Sequence, residues 1–366
     1  MKNKAQQLPD ARPLVEKLMD RALADHASDV HIEPVSGGYE LKLRIDGLLQ
    51  PHDLLSRESG EAVVNCLMVM GRLLTYRRDI PQEGRMAVGT AHHGTLDVRL
   101  SVIPTLHGLR AVLRMPADLL GPHSLVDLAL PAEALNFLYS FANAQQGLLA
   151  ITGPAGSGKT TTVYALLEHI RNHAPGTSVI SLEDPIERGI AGVTQVEITP
   201  FGEFGYARAL KSILRQDPQV LALGEIRDAQ TASLAVEVAL TGHRLICTMH
   251  AGSPAAAISR WMEMGIEHYQ ITASVHGILN QRLLRRKTSD SYHGRVPLAQ
   301  CAWMDSALRA AIAAQADMDM INEVIKRQPG FHSLADLAQD LIVQGSTDAA
   351  EVQRVLGVPG FEGGRG

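Results

Sequence analysis

The stretch "LLAITGPAGSGKTTTVYALLEHI", residues 148–170, decides the fold of this chain. A short apolar run enters a glycine-rich turn and leaves as an amphipathic helix, which is the order of a buried strand, a phosphate-binding loop and a helix. Residues 153–160, "GPAGSGKT", satisfy the pattern G-x-x-x-x-G-K-[ST]. The alternative is a tight turn with an exposed lysine, and the strand before it and the helix after it argue against that.

The chemistry of this turn is that of a triphosphate site. Glycines let backbone N–H groups converge on phosphate oxygens, and the helix N-terminus adds the positive end of its dipole. Lys159 would reach the β- and γ-phosphates, and the Thr160 hydroxyl would ligate Mg²⁺. We therefore expect ATP and Mg²⁺, with the nucleotide bound by Gly153, Pro154, Ala155, Gly156, Ser157, Gly158, Lys159, Thr160 and Thr161.

Beyond the loop, apolar strand-like runs alternate with helical stretches, which predicts an α/β fold with a largely parallel, helix-covered sheet. The predicted strands are 148–152, 178–182, 219–223 and 244–249, and the predicted helices are 158–172, 206–215, 229–241 and 254–264. This ATPase domain is placed at 127–287. Residues 288–366 are predicted to form a helical C-terminal region with a frayed end.

The first 115 residues have a different pattern. A helical stripe at 11–25 precedes strict alternation in "YELKLRIDGLL", residues 39–49, and again at 96–102. These features predict an α+β domain over 1–115 with a one-sided antiparallel sheet. Two prolines and a glycine between 114 and 125 indicate an inter-domain linker at 116–126.

Carboxylates follow two of the predicted strands. "VLALGEIRD", residues 220–228, ends its strand in glycine and Glu225, which we expect to orient or activate the attacking water and to serve the metal. A plain helix cap is the alternative. "SVISLEDPIE", residues 178–187, ends in Glu183, our candidate for a Mg²⁺-bound water; a turn built on Asp184 and Pro185 is the competing interpretation.

The segment "TGHRLICTMH", residues 241–250, places a histidine at each end of a strand. Their odd spacing points the two side chains to opposite faces, so a shared metal site is not expected. His250 lies at the carboxyl end, where it would sense the γ-phosphate. His243 is equally well explained as a helix cap.

Composition narrows the class of protein. The formal charge is −5, aromatic residues make up 4%, and the three cysteines are widely scattered. Nucleic-acid binding, a disulfide framework and a zinc site are therefore not expected. No stretch is apolar enough for a bilayer span or a signal peptide, so we expect membrane association only through partners. The basic run "RLLRRK", residues 282–287, is better explained as a solvated helix end than as a polyanion site.

In order and spacing, these motifs resemble those of the ATPases of type II secretion and type IV pilus assembly (GspE/PilB/PilT-like). The matching segments are "ASDVHIEP" at 27–34, "LRIDGLL" at 43–49, "PQEGR" at 81–85, "RLSVIPTLHGLRAVLRM" at 99–115, the loop at 153–160, and the acidic and histidine segments above. The resemblance implies a RecA-like P-loop core with a smaller PAS-like N-terminal domain. "NQRLLRR" at 280–286 is not followed by the family's four-cysteine zinc module, so a short form without zinc is expected. Retraction and conjugation-type relatives also lack that module.

The resemblance also implies a homo-hexamer, in which a neighbouring subunit's arginines meet the nucleotide. The matching positions are Arg99, Arg110 and Arg114 in the N-terminal domain and Arg260 in "AAAISRWMEMG". It implies a motor ATPase, cytoplasmic and peripheral at the inner membrane, that drives pilus assembly or retraction or type II-like secretion through an inner-membrane platform protein. The alternatives are a conjugation or type IV secretion ATPase, a nucleic-acid translocase, and a non-catalytic assembly subunit that binds ATP.

Overall fold

The structure is a computed structural model that describes residues 11–90, 94–116, 124–198, 204–289 and 291–357. The chain divides into two units, Met1–Gly121 and Pro122–Gly366. The boundary falls within the predicted linker at 116–126, of which 117–123 lie outside the described residues. The predicted frayed end beyond residue 357 lies outside them too.

The N-terminal unit is an α+β layer structure. Its elements are α1 (Arg12–Ala24), β1 (Asp29–Val35), β2 (Gly38–Ile45), β3 (Leu48–Leu55), α2 (Arg57–Met70), β4 (Gln82–Thr90), β5 (Gly94–Thr105) and β6 (Gly108–Arg114). The strands pair antiparallel in the order β3-β2-β1-β6-β5-β4. Alternate residues such as Leu41, Leu43, Val98 and Leu100 face one core with the helices, so the sheet is one-sided, as its alternating sequence predicts.

The larger unit contains the phosphate loop. Its elements are α3 (Ala132–Asn143), β7 (Gly147–Thr152), α4 (Lys159–His173), β8 (Val179–Glu183), β9 (Thr194–Glu197), α5 (Tyr206–Ile213), β10 (Val220–Leu223), α6 (Ala229–Leu240), β11 (Arg244–Met249), α7 (Pro254–Glu263), α8 (His268–Ser274), β12 (Val275–Lys287), β13 (Tyr292–Trp303), α9 (Ser306–Ala313), α10 (Met318–Lys326), α11 (Leu334–Val343) and α12 (Ala349–Leu356). The sheet order is β13-β12-β7-β11-β10-β8-β9.

From β12 to β9 every neighbouring pair in this sheet is parallel. Its strands are buried on both faces: Leu149 and Ile151 of β7 pack with α3 and α4, whereas Leu148 and Ala150 pack in the opposite core. Parallel strands end at the same edge, so the residues that follow β7, β8, β10 and β11 lie along one edge of the sheet. The beginning of β12 runs beside β7 and brings Asn280 opposite Thr152.

The prediction that residues 288–366 are helical is wrong at the start of this region, which forms a strand. Residues Tyr292–Trp303 form strand β13, which pairs antiparallel with β12, so the division at 287/288 cuts through a hairpin of the main sheet. The basic run at 282–287 is likewise part of β12 rather than a helix end. Val296 and Leu298 of β13 pack against α11 and α12, and this tertiary packing favours a strand where local composition indicates a helix.

Candidate functional site

The phosphate loop joins β7 to α4, between Thr152 and Lys159. Gly153 has φ +147°, and a Cβ added there would lie 2.4 Å from the carbonyl oxygen of Gln281. Only glycine allows β12 to pass so close to the loop. The loop residues Pro154, Ala155 and Gly156 are exposed, and Ser157 is buried. Thr160 and Thr161 lie in the first turn of α4, whose N-terminus therefore opens at this edge of the sheet.

Lys159 is held over this loop by backbone carbonyls. Its Nζ atom donates to the carbonyl oxygens of Gly153 and Pro154, each at 2.9 Å. Burial lowers the pKa of Lys159; the nearby carboxylate of Glu225 opposes that shift, and the guanidinium of Arg282 adds to it. Lys159 is thus a partly desolvated cation with a carboxylate and a second cation close by.

Glu225 follows β10 at the same edge. The residue before it, Gly224, has no room for a side chain, because a Cβ there would lie 2.7 Å from the Tyr206 hydroxyl oxygen. The two carboxylate oxygens of Glu225 face different partners: Oε2 is 2.6 Å from Nε of Arg227, and Oε1 is 3.1 Å from Nε2 of His250. The hydrogen bond to Glu225 raises the pKa of Arg227. Glu225 is therefore an oriented carboxylate close to Lys159.

His250 connects Glu225 to the phosphate loop. Its Nδ1 atom lies 3.1 Å from the carbonyl oxygen of Gly153, and its Nε2 atom faces Glu225. Both neighbours are hydrogen-bond acceptors, so the imidazole lies between the Glu225 carboxylate and the phosphate loop. The predicted residues Glu225, His250 and Lys159 are thus brought together.

His243, by contrast, lies away from these residues in its contacts: its Nδ1 atom is 3.2 Å from the Val238 carbonyl oxygen at the end of α6, the contact of a helix cap.

The loop after His250 is held by three side chains that sequence reasoning assigned to other roles or missed. Arg260 donates to the carbonyl of residue 250 at 3.2 Å, Asn280 to that of residue 251 at 3.1 Å, and Arg282 to that of residue 252 at 2.9 Å. Asn280, fully buried, also donates to Thr152 Oγ1 at 2.9 Å. Three successive carbonyls are therefore fixed relative to β7 and β12.

Glu183 occupies a different environment from Glu225. It is buried at the end of β8 and accepts hydrogen bonds from the hydroxyls of Tyr164 and Ser181 and from Gln195 Nε2, the last at 3.0 Å. Tyr164 lies on α4 one turn beyond Thr160, so Glu183 is linked to the loop's helix rather than to the loop. Burial and the bond to Glu183 raise the pKa of Tyr164. Tyr164 carries no motif and could not be found from the sequence.

A Mg²⁺ ion fits the donor set here only as part of a nucleotide complex. Thr160 is exposed on the first turn of α4 and offers a hydroxyl oxygen at the loop. No group of three or more His, Cys, Asp or Glu side chains within the described ranges is arranged to hold a metal. Mg²⁺ commonly takes its remaining ligands from substrate phosphates and water, so one threonine oxygen is a sufficient protein contribution.

The candidate arginines of the N-terminal unit lie on its sheet. Arg99 of β5 is directly opposite Arg114 of β6, and Arg114 is in turn opposite Asp29 of β1. Nε of Arg114 lies 3.1 Å from Oδ1 of Asp29. Arg110 pairs with Glu33 at 3.0 Å. Arg114 and Arg110 are thus each paired with a carboxylate of their own unit.

Comparison with known proteins shows which family this chain belongs to. Residues 4–354 match the family model described as type II/IV secretion system protein. The chain is 32% identical to the type IV pilus assembly ATPase PilB of Thermus thermophilus, over 93% of this chain and 42% of that protein. It is 31% identical to the type II secretion system ATPase E of Vibrio cholerae, over 93% of this chain and 74% of that protein. The chain thus spans less than half of the PilB relative and about three quarters of the other.

Two solved structures share the fold. The Legionella pneumophila ATPase DotB has a TM-score of 0.74 at 19% identity, covering 95% of this chain and 97% of its own. The pilus retraction motor PilT with bound ADP has a TM-score of 0.62 at 24% identity, covering 93% and 99%. This likeness agrees with the expected RecA-like P-loop core. Within the described ranges, no helix is both long and apolar enough to span a membrane.

Proposed function

The chain belongs to the type II/IV secretion system protein family, and from that premise we propose that it is a motor that hydrolyses ATP to drive pilus assembly or retraction or protein secretion. The observation that carries the proposal is the contact chain from Glu225 through His250 to the carbonyl of Gly153. It joins an oriented carboxylate to the loop that the sequence pattern assigns to phosphate. Relatives of the chain are named as secretion and pilus assembly ATPases.

The nucleotide site is the loop at 153–160 with the first turn of α4. Lys159 exchanges its two loop carbonyls for the β- and γ-phosphate oxygens, and Thr160 contributes its hydroxyl to Mg²⁺. When bound, the ion would neutralise negative charge on the phosphate oxygens. Glu183, held by Tyr164, would hold a water of the bound ion, the role that the sequence predicts for it.

Hydrolysis is a displacement by water at the γ-phosphorus. The water oxygen forms the new bond to phosphorus while the bond to the bridging oxygen of ADP breaks, giving ADP and phosphate, and the water's proton passes to Glu225. Glu225 orients that water through the carboxylate oxygens that His250 and Arg227 fix in place. Because His250 also holds the Gly153 carbonyl, movement of the loop with the state of the γ-phosphate is transmitted to Glu225.

The motor is a homo-hexamer in this proposal. A neighbouring subunit supplies arginine to the γ-phosphate, from Arg99, Arg110 or Arg114, because a fixed guanidinium fork stabilises charge developing on phosphoryl oxygens. The contact of Arg260 with the His250 carbonyl suits a role within its own subunit. The hexamer acts in the cytoplasm at the inner membrane, on a platform protein of a pilus or secretion machine, without nucleic acid.

The test is phosphate release by the purified chain with ATP and Mg²⁺, measured for the wild type and for Lys159→Ala. We expect turnover by the wild type and none by the variant, whereas Lys17→Ala on the exposed face of α1 retains full turnover. Light scattering with a non-hydrolysable ATP analogue is expected to give the mass of six chains. An inactive wild type, or equal activity in Lys159→Ala, would exclude this function.

A further inference from the structure

Arg282 lies on β12 immediately beside the phosphate loop. It follows Gln281, whose carbonyl oxygen is the atom that a side chain at Gly153 would strike, and Asn280, which pairs with Thr152 at the end of β7. We propose that Arg282 is a second phosphate-binding cation of the nucleotide site, supplied by the same subunit as Lys159. The inference rests on the function proposed above and adds a residue to which the resemblance assigns no role.

The first argument is the unbalanced charge. Arg282 is partly buried, and burial lowers its pKa, so its charge is incompletely solvated. No carboxylate in the described part of the chain lies within ion-pair distance of it. A desolvated arginine normally has an anionic partner, because the loss of hydration must be offset by an opposite charge.

The second argument is the set of neutral acceptors. Nη1 donates to the Gln281 carbonyl at 2.9 Å and lies 3.3 Å from Asn280 Oδ1, while Nη2 donates to the Gly252 carbonyl at 2.9 Å. These bonds fix the plane of the guanidinium but leave its charge unneutralised. A guanidinium has five N–H donors, so donors remain for a further acceptor. The bond from Nη2 is at the exposed side of the group, where a ligand has access.

The third argument is the neighbouring cation. Arg282 is close enough to Lys159 to lower the pKa of that lysine further. Lys159 therefore has one carboxylate, Glu225, and one further cation, Arg282, in its surroundings, and a polyphosphate at the loop would interact favourably with both cations. Planar arginine suits phosphate oxygens by bidentate hydrogen bonding, which makes the α- and β-phosphates of a nucleoside diphosphate or triphosphate the fitting ligand.

The position of Arg282 also connects ligand and loop. The same guanidinium holds the carbonyl of Gly252, two residues beyond His250. Phosphate binding at Arg282 therefore fixes the segment that carries His250. Simple bracing of this segment is the competing role, and it predicts a different response to salt.

The experiment measures ADP binding by calorimetry at several salt concentrations, using the full chain as wild type, Arg282→Gln, Arg282→Lys and Arg286→Gln. Arg286 is the matched control, because it is an exposed arginine of the same strand. We expect Arg282→Gln to weaken ADP binding about tenfold or more and to reduce its dependence on salt. Arg282→Lys is expected to recover part of both, and Arg286→Gln to match the wild type.

Two outcomes would overturn the inference. One is an unchanged dissociation constant for ADP in Arg282→Gln. The other is weaker binding with the salt dependence of the wild type and no recovery in Arg282→Lys, which is the result of bracing alone. A wild type that binds neither ADP nor ATP would instead overturn the proposed function, and this inference with it.

Discussion

His250 Nε2 lies 3.1 Å from Glu225 Oε1, while the other ring nitrogen of the same histidine lies 3.1 Å from the Gly153 carbonyl oxygen. One imidazole thus spans the distance from the end of β10 to the phosphate loop. The two residues come from strands adjacent in the sheet and 25 positions apart in sequence. In this arrangement the Glu225 carboxylate and the loop are linked through one side chain, that of His250.

Replacing His250 should lower the rate of ATP hydrolysis without a comparable change in ATP affinity. In His250→Gln a single amide nitrogen replaces the two ring nitrogens that face Glu225 and Gly153, so we expect kcat to fall about 100-fold while ATP affinity changes little. Steady-state phosphate release and nucleotide titration measure the two effects. His243→Gln, which alters only the cap of α6, is the matched control. Wild-type kcat in His250→Gln would show that the bridge has no part in catalysis.

The Tyr164 hydroxyl should matter for Glu183. Tyr164→Phe removes one of three donors to a buried carboxylate, so we expect a loss of about 1–3 kcal/mol in the free energy of unfolding. We also expect turnover roughly tenfold lower, because Glu183 is no longer fixed. Tyr139→Phe on α3 serves as the control, since its ring contacts His169 rather than an acidic group. Unchanged turnover in Tyr164→Phe would show that hydrolysis does not depend on the positioning of Glu183 by Tyr164.

The close approach of β12 to the loop predicts different costs at two loop glycines. Both Gly153 and Gly156 have positive φ, but a Cβ at Gly156 meets nothing within 4 Å, whereas one at Gly153 strikes the Gln281 carbonyl. We expect Gly153→Ala to lower the free energy of unfolding by about 2 kcal/mol more than Gly156→Ala. Urea unfolding of the two variants measures this difference. Equal losses would mean that β12 does not restrict the loop.

A buried ion cluster at α12 predicts a pH dependence. Glu351 accepts from Arg285 at 2.8 Å and also pairs with Arg354. Burial acts to raise the pKa of Glu351, but hydrogen bonds from the two arginines outweigh it and lower the pKa to about 2. Since the folded-state pKa is depressed, the stabilisation is complete above the unfolded value near 4.5 and is lost as pH falls towards 2.

Glu351→Gln should therefore lower the free energy of unfolding by roughly 3 kcal/mol at pH 7 and at pH 5. The difference from the wild type should shrink at pH 3.5. Urea unfolding at the three pH values measures it, with the exposed Glu323→Gln as the control. A difference that is the same at pH 3.5 as at pH 7 would contradict the assigned cluster.

Most of the larger unit follows from local pattern. The predicted strand at 244–249 coincides with β11, and the loop lies between β7 and α4 as its motif requires. Glu225 and His250 could each be placed at this edge from the sequence because the ends of parallel strands share an edge, whereas their mutual contact emerges only from the structure. These features depend on residues close in sequence or on a general rule of sheet topology.

What the sequence could not supply depends on non-local packing. Strand β13 exists because it pairs with β12 and packs under α11 and α12, neither of which its composition reveals. Because the segment at 282–287 has the composition of a helix end, the nearness of Arg282 to the loop was hidden. Tyr164 is likewise an ordinary aromatic residue of α4 until β8 places Glu183 against it.

The most direct measurement of the central claim is the comparison of ATP binding and phosphate release in Glu225→Gln. The glutamine amide has the size of the carboxylate but cannot accept a proton from the attacking water. The substitution leaves the partner His250 unchanged. The account predicts ATP affinity close to that of the wild type with phosphate release lowered about 1,000-fold. Phosphate release at the wild-type rate would contradict it, because the attacking water would then be oriented by some other group.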